Sequence, residues 1–181
     1  MSTLHVENLK GPTSGANANK IIVPSGQTID ASAGTLLPSA GQIVQTLTQE
    51  VTAIATTTST SFVASAFTLT ITPKSTSSII RSTLGLSGVH ANTLQSSVEL
   101  SLYKGGSHVK YLHGLIGYAT DHVVHNMDAT IVAVDSPSTT SAVTYAIYWR
   151  VGYGSGTVYY KNYASGANRT RSWFTLEEIA Q

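Results

Sequence analysis

Apolar and polar residues alternate with a period of two along most of the chain after Gln42. In residues 143–151, apolar side chains fill the odd positions, while Thr144, Ala146, Tyr148 and Arg150 fill the even ones. The same alternation recurs in residues 67–72, 98–103, 129–134, 157–161 and 172–179. Alternation over five to ten residues is typical of antiparallel strands with one buried face. The pattern therefore predicts an all-β fold.

Turn-forming residues separate these runs. They are Thr72-Pro-Lys-Ser-Thr-Ser, Lys104-Gly-Gly-Ser, Asp135-Ser-Pro-Ser, Gly152-Tyr-Gly-Ser-Gly and Ala164-Ser-Gly-Ala-Asn. The spacing predicts about eight or nine strands in an antiparallel sandwich or barrel. Residues 48–55 are the one candidate helix, but their β-branched content favours a strand.

Residues 1–41 have a different composition, with a glycine or proline every few positions and only short apolar runs between them. Such a segment has too little apolar area to offset the entropy lost when it becomes ordered alone. It is either a flexible tail or an arm that orders against neighbouring chains or a larger particle. The β-branched run Ile21-Ile22-Val23 favours the arm. We predict an extended attachment arm over residues 1–41, with contacts through Ile21, Ile22, Val23 and Ile29, and a β-sandwich over residues 42–181.

The charge composition disfavours several classes of protein. The chain of 181 residues has 10 Lys and Arg and 9 Asp and Glu, so charged residues make up 10% of it, against about 25% in an ordinary soluble domain. Without a basic run, nucleic-acid binding is not expected. No apolar stretch approaches the length needed to cross a bilayer, and the N-terminus does not resemble a secretory signal. A hydroxyl-rich surface of this kind suits a protein whose faces are covered by partners.

The sequence shows no catalytic apparatus. Gly152, Gly154 and Gly156 lie between strands without the helix or the Lys-Ser/Thr that a phosphate loop needs. Asp121, Asp128 and the other acids are dispersed, whereas glycoside hydrolysis needs two convergent carboxylates. There is no cysteine, which excludes thiolate metal sites and disulfides. We predict a non-enzymatic protein with no cofactor.

Five of the six histidines lie between positions 90 and 125, which raises the question of a metal site. His122 and His125 are three positions apart, so on a strand they would point to opposite faces. A metal could still combine one of them with His108 or His113 of a neighbouring strand, or with symmetry copies. We interpret them as ordinary surface or interface histidines and assign no metal site.

All nine tyrosines lie after position 100, together with both tryptophans. Either they serve core packing and subunit contacts, or some form a rim that binds a glycan or receptor. Tyr and Trp combine apolar area with a hydrogen-bonding group, as binding surfaces require. For the second interpretation we name Tyr153, Tyr163 and Trp173, which lie in or near turns.

Six short segments of the chain carry a resemblance to known proteins. They are Met1-Ser-Thr-Leu-His-Val-Glu-Asn-Leu, Lys20-Ile-Ile-Val-Pro-Ser-Gly-Gln-Thr-Ile-Asp, Gly41-Gln-Ile-Val-Gln, Ser61-Phe-Val, Ile71-Thr-Pro and Phe174-Thr-Leu-Glu-Glu-Ile. Together they resemble a family of marine phage (cyanophage- or pelagiphage-like) virion structural proteins. They occur in the family's order over nearly the whole chain. Residues 90–125 have no counterpart, which leaves any receptor open.

The resemblance implies a tail-fibre-like or head-decorating protein. Its C-terminal domain would be jelly-roll-like and trimeric, and its arm would dock on the particle. The family brings no catalytic residues with it. We therefore expect a homotrimeric virion appendage that is made in the host cytoplasm, binds other virion proteins and contacts the host surface. The alternatives are a capsid decoration protein and a non-enzymatic carbohydrate-binding module that stacks sugars on Tyr153, Tyr163 or Trp173.

Overall fold

The computed structural model describes residues 12–15, 22–27, 38–93, 96–117, 127–160 and 171–181. The chain divides into two units, Met1–Leu37 and Pro38–Gln181. Within the described residues of the first unit, the Gln27 N–H donates to the Pro24 carbonyl at 3.1 Å and closes a turn. Helices are absent from the described residues, which therefore contain no helical segment able to cross a membrane. The prediction of an all-β fold is confirmed.

The described part of the second unit contains ten strands. In chain order they are β1 (Ile43–Val51), β2 (Ala55–Thr57), β3 (Val63–Ile71), β4 (Ile79–Ala91), β5 (Ser96–Lys104), β6 (Ser107–Gly117), β7 (Met127–Asp135), β8 (Val143–Tyr153), β9 (Val158–Tyr160) and β10 (Ser172–Ile179).

These strands form two antiparallel sheets. In the first sheet β1 pairs with β10, β10 with β4, and β4 with β7. Residues 80–85 of β4 pair with both β10 and β7, so these two strands lie on opposite sides of β4. The short strands β9 and β2 extend this sheet from the C-terminal end of β4. The second sheet has the order β3-β8-β5-β6.

The eight long strands have the topology of a jelly roll. Each connection between consecutive long strands crosses from one sheet to the other, except the connection between β5 and β6. Two four-stranded sheets interleaved in this way are the double Greek key of jelly-roll domains. The β5–β6 turn is tight because Gly105 and Gly106 have φ angles of 56° and 83°, as a two-residue hairpin turn requires. The prediction of a jelly-roll-like sandwich is confirmed, with eight long strands and two short ones.

The core lies between the two sheets and follows the predicted alternation. Tyr145, Ile147, Trp149 and Val151 of β8 are at most 3% exposed, and the intervening residues face outward. From the other sheet, Phe174 and Leu176 of β10 are fully buried. Burying each such side chain contributes about 1.5–3 kcal/mol relative to leaving it in water.

At one end of the core, three cross-strand neighbours of the first sheet include two carboxylates, Glu178 and Asp135. Ile80 pairs with Glu178 on one side and with Asp135 on the other, so all three side chains face inward. Asp135 accepts hydrogen bonds from the Tyr145 hydroxyl at 2.6 Å and from the Lys104 ammonium at 2.8 Å. These contacts tie β7 of the first sheet to β8 and β5 of the second.

Glu178 has no exposed surface, and its hydrogen bonds join three parts of the chain. Its carboxylate accepts the Lys74 N–H at 2.7 Å, from the connection between β3 and β4, and the Gln45 side-chain amide at 2.6 Å, from β1. Burial alone would raise the pKa of Glu178, but hydrogen bonds from Gln45, Ser78 and two backbone amides outweigh burial and lower it. Glu178 is therefore ionised in the folded protein.

We expect Glu178→Ala to lower the free energy of unfolding by about 3 kcal/mol, because it leaves several buried donors without an acceptor. The neighbouring Glu177 faces outward and pairs with Arg81 at 2.7 Å across a partly exposed contact. The matched variant Glu177→Ala should therefore cost only about 0.5 kcal/mol. Urea unfolding of both variants measures the difference.

The same residue gives the stability a defined pH dependence. Because folding lowers the pKa of Glu178, its contribution is complete above the ordinary value of about 4.5 and is lost as the pH falls through the lower folded pKa. Glu178→Gln should therefore lose less stability than the wild type between pH 5 and the acid limit. Parallel acid-unfolding curves for the two proteins would contradict this role.

Candidate functional site

The outer face of the second sheet carries a cluster of aromatic rings, which we call the aromatic patch. Its members are Phe62, Tyr103, His108, Tyr111 and Tyr148. The Tyr103 and Tyr148 rings stack with centroids 3.9 Å apart and planes inclined by 17°. The Phe62 ring lies 6.0 Å from that of Tyr111 and 6.3 Å from that of Tyr103, and the His108 ring meets Tyr103 edge-on at 5.6 Å. The rings therefore form one continuous cluster across β5, β6 and β8.

Strand register explains why these rings meet. Ser101 of β5 lies opposite Tyr148 of β8 on one side and opposite Tyr111 of β6 on the other. Ser101 points outward, away from the core side chains Leu100 and Leu102, yet it has no exposed surface. Its hydroxyl donates to the Lys110 carbonyl at 3.0 Å. The rings thus cover this serine and form a small packed layer outside the core.

An ion pair borders the aromatic patch. The Arg150 Nε donates to the Glu99 carboxylate at 2.7 Å, and the guanidinium carbon lies 4.6 Å from the centre of the Phe62 ring. A cation over an aromatic face is attracted by the ring quadrupole, which adds to the ion pair. Arg150 also donates from Nη1 to the Thr60 carbonyl at 3.4 Å. Arg150 is therefore oriented from three directions.

The two acidic groups at this border influence each other. Burial alone would raise the pKa of Glu99, but hydrogen bonds from Tyr111 and Arg150 lower it. Burial and the hydrogen bond to Glu99 raise the pKa of Tyr111 to about 12. At neutral pH the carboxylate is ionised and the phenol is protonated. The aromatic patch therefore has an ionised carboxylate, a guanidinium and a protonated phenol at one border.

The structure places the predicted rim residues on different sheets. Tyr153 ends β8 in the second sheet, opposite Ser97, and is 61% exposed. Trp173 lies on the outer face of the first sheet, opposite Gly85, and is 46% exposed. Tyr163 lies outside the described residues. The sandwich therefore separates Tyr153 from Trp173 instead of joining them in one surface.

The predicted arm is described in part. Ile22 is 58% exposed and Val23 is 38% exposed, whereas Ile21 and Ile29 lie outside the described residues. Residues 38–41, which we predicted as the end of the arm, belong to the second unit. There the Gly41 N–H donates to the Ala180 carbonyl at 2.8 Å.

The histidines of residues 90–125 occupy different surroundings. His90 is buried and stacks on Tyr159 with ring centroids 4.4 Å apart, and burial lowers its pKa despite an opposing backbone hydrogen bond at Gly88. His108 is exposed and belongs to the aromatic patch. His113 is in β6, whereas His122 and His125 lie outside the described residues. Within the ranges that the structure describes, no three His, Cys, Asp or Glu residues converge as metal ligands.

A scan of protein-family models and a search of curated proteins found no match to this chain. The resemblance to marine phage virion proteins therefore stays a prediction. The functional argument depends on the geometry of the fold and its surfaces.

Sequence reasoning missed the aromatic patch, although a signal for it was present. In the predicted strands, Tyr103 and Tyr148 occupy the polar phase of the alternation, where an aromatic side chain must point away from the core. The pattern did not reveal that their two strands pair with each other. The prediction had instead favoured aromatic residues near turns.

Gly152 provides a test of how firmly Glu99 is held. A Cβ at this position would collide with the Glu99 side chain, whereas a Cβ on Gly85, also in a strand, would lie 3.6 Å from Trp173 Cε3, an ordinary contact. We expect Gly152→Ala to lower the free energy of unfolding by about 1–3 kcal/mol. It should also move the pKa of Tyr111 from about 12 toward the usual 10, since Glu99 is displaced.

Denaturant unfolding and ultraviolet titration of the tyrosines measure these two effects. Gly85→Ala is the matched control and should change stability by no more than about 0.5 kcal/mol. An unchanged titration curve in Gly152→Ala would mean that Glu99 does not control Tyr111.

Proposed function

We propose that this protein is a structural component of a phage virion. In this proposal it is a homotrimeric, tail-fibre-like appendage that attaches through its N-terminal arm and contacts the host surface with its sandwich. Three features support the proposal: the jelly-roll topology, which viral capsid and lectin domains share; the low content of charged residues; and the resemblance of the sequence to marine phage virion proteins.

The main support for a trimer is the group of exposed apolar side chains on the outer face of the first sheet. Val132 and Val134 of β7 are 54% and 49% exposed there, and Trp173 of β10 is 46% exposed. The register places Val132 in a row with the outward-facing threonines Thr83 and Thr175. Trp173 lies in a row with Gly85 and Thr130, and Val134 lies in a row with the ion pair of Arg81 and Glu177. An exposed apolar group of this kind on a hydroxyl-rich face is typical of a surface that another subunit covers.

The charges on this face are compatible with contact between identical copies. Arg81 pairs with Glu177 at 2.7 Å, and Arg171 pairs with Glu50 at 3.0 Å. These four charges are neutralised within the same chain, which reduces repulsion between like charges when two copies approach. Asp128, also on this face, accepts hydrogen bonds from the Ser87 hydroxyl and the Gly88 N–H.

Two alternatives keep the same fold. A capsid decoration protein would use a broad contact with the shell, and its position on the particle would distinguish it from a tail appendage. A carbohydrate-binding module would act as a monomer or a dimer. Tyr111, which is 44% exposed, and Tyr153, which is 61% exposed, favour binding of a glycan.

The trimer predicts a solution mass of about three times 19.0 kDa by light scattering. Val134→Ser, on the outer face of the first sheet, should shift the mass toward 19.0 kDa, whereas Thr70→Ser, on the other sheet, should leave it unchanged. A wild-type monomer at micromolar concentration would contradict the trimer and favour the carbohydrate-binding module.

The arm predicts that removal of residues 1–37 abolishes attachment to the particle. The truncated chain keeps the hydrogen bond between Gly41 and Ala180, so its circular dichroism should match that of the full-length protein. Co-sedimentation with particles that lack the native protein measures attachment. The full-length variant carrying Ile22→Ser and Val23→Ser should attach more weakly; undiminished attachment of the truncated chain would contradict the role of the arm.

A further inference from the structure

The aromatic patch is too small for a stable contact between proteins. Five aromatic side chains of about 200 Å² each, most of them more than half-buried, leave a few hundred Å² exposed. Tyr111 is the most exposed of the tyrosines among them, at 44%. A stable protein–protein interface covers about 800 Å² on each partner. The area fits a ligand of two or three small rings better than it fits a second copy of the chain.

The polar groups at the border of the aromatic patch match the chemistry of neighbouring hydroxyl groups. Arg150 donates N–H groups to Glu99 and Thr60, and its side chain is 34% exposed. The Glu99 carboxylate lies beside it as an acceptor. A planar donor next to an acceptor suits a pair of adjacent hydroxyls, because each hydroxyl can both donate and accept.

The aromatic patch is also rigid before any ligand arrives. The stacked rings of Tyr103 and Tyr148 restrain each other, and the buried Ser101 below them fixes the spacing of β5 and β6. Rigid aromatic side chains lose little conformational entropy on binding. A pre-formed surface of this kind can bind a flexible chain of sugars without first reorganising.

The charge of the site favours a neutral ligand. Glu99 and Arg150 neutralise each other at 2.7 Å. An acidic ligand would have to compete with Glu99 for the guanidinium. A neutral sugar can place its apolar C–H face on the aromatic rings and its hydroxyls near Arg150 and Glu99. Because it has no charge, it does not compete with the ion pair of these two residues.

We propose that the aromatic patch binds a neutral oligosaccharide, with sugar rings on Tyr111 and its neighbouring rings and adjacent hydroxyls on Arg150 and Glu99. This inference rests on the proposed function, since it names the class of host-surface ligand that the appendage contacts. It assigns the ligand to the second sheet and leaves the outer face of the first sheet to the trimer.

The test uses the full-length protein and an array of hexasaccharides built from glucose, mannose, galactose or xylose, with hexauronic acids alongside. We expect at least one neutral hexasaccharide to bind. Tyr111→Ala and Arg150→Lys should each weaken that binding about tenfold or more. Tyr111→Phe, which keeps the ring, should weaken it less than Tyr111→Ala. Thr70→Ala, on the same face but outside the aromatic patch, should bind as the wild type does.

Thermal unfolding and light scattering accompany each binding measurement. If Tyr111→Ala does not fold, Tyr111→Phe and Arg150→Lys decide the outcome. The inference is overturned if no neutral hexasaccharide binds, if the hexauronic acids bind more tightly, or if Tyr153→Ala abolishes binding while Tyr111→Ala does not. It is also overturned if substitutions in the aromatic patch convert a trimer into monomers, because the patch would then be a subunit contact. A wild-type monomer that binds sugar through Tyr111 would instead defeat the trimer and keep this inference.

Discussion

The carboxylate of Glu178 is buried where β1, β4 and β10 meet the connection from β3. Its partners come from the first strand of the sandwich and from a crossover between the sheets, so one side chain joins the two ends of the domain's sequence. Asp135, in the same row, performs a similar task toward the second sheet. Hydrogen bonds to buried carboxylates are strong, and losing them is costly. The packing of the core depends on both carboxylates keeping this end closed.

The core lies between the two sheets, so each sheet has an outer face whose side chains do not take part in core packing. The first sheet presents threonines, two valines and a tryptophan, whereas the second presents the aromatic patch. Successive side chains of a strand point to opposite faces of the sheet, so inward-facing and outward-facing residues have different neighbours. Substitutions on an outer face can therefore leave the packing of the core unchanged. A sandwich can therefore assign assembly to one face and ligand contact to the other.

Much of the fold could be predicted from the sequence because the buried faces of β5, β8 and β10 contain runs of apolar residues at every second position. The same alternation places Glu178 on the buried phase, two positions after Leu176, although its acidic character conceals this. Other strands were missed for physical reasons. β4 buries Ser82 and His90 among its apolar residues, and Lys110 and Tyr111 of β6 are both exposed beside a register shift. In these strands the polarity of a side chain does not indicate whether it is buried.

The sequence predicts which aromatic residues of the candidate site point outward, but not that they lie together. Local alternation shows that Tyr103 and Tyr148 point outward, but the pairing of β5 with β8 depends on long-range packing that no short pattern contains. That pairing brings Glu99 opposite Arg150 and stacks the tyrosines. The predicted rim consists of aromatic residues near turns because binding residues usually lie on loops, whereas the aromatic patch lies on the face of a sheet.

The β5–β6 hairpin has a consequence for how the chain folds. Among the described strands it is the one pair adjacent both in sequence and in a sheet, and every other pairing joins segments separated by at least one strand. Loop closure must precede those pairings, so folding is expected to take milliseconds to seconds, as in other β-sandwiches. The two glycines of the hairpin then mark the point where native structure can first form locally. Since the hairpin also carries Tyr103, His108 and Tyr111, three of the five members of the aromatic patch are attached to the earliest element of the fold.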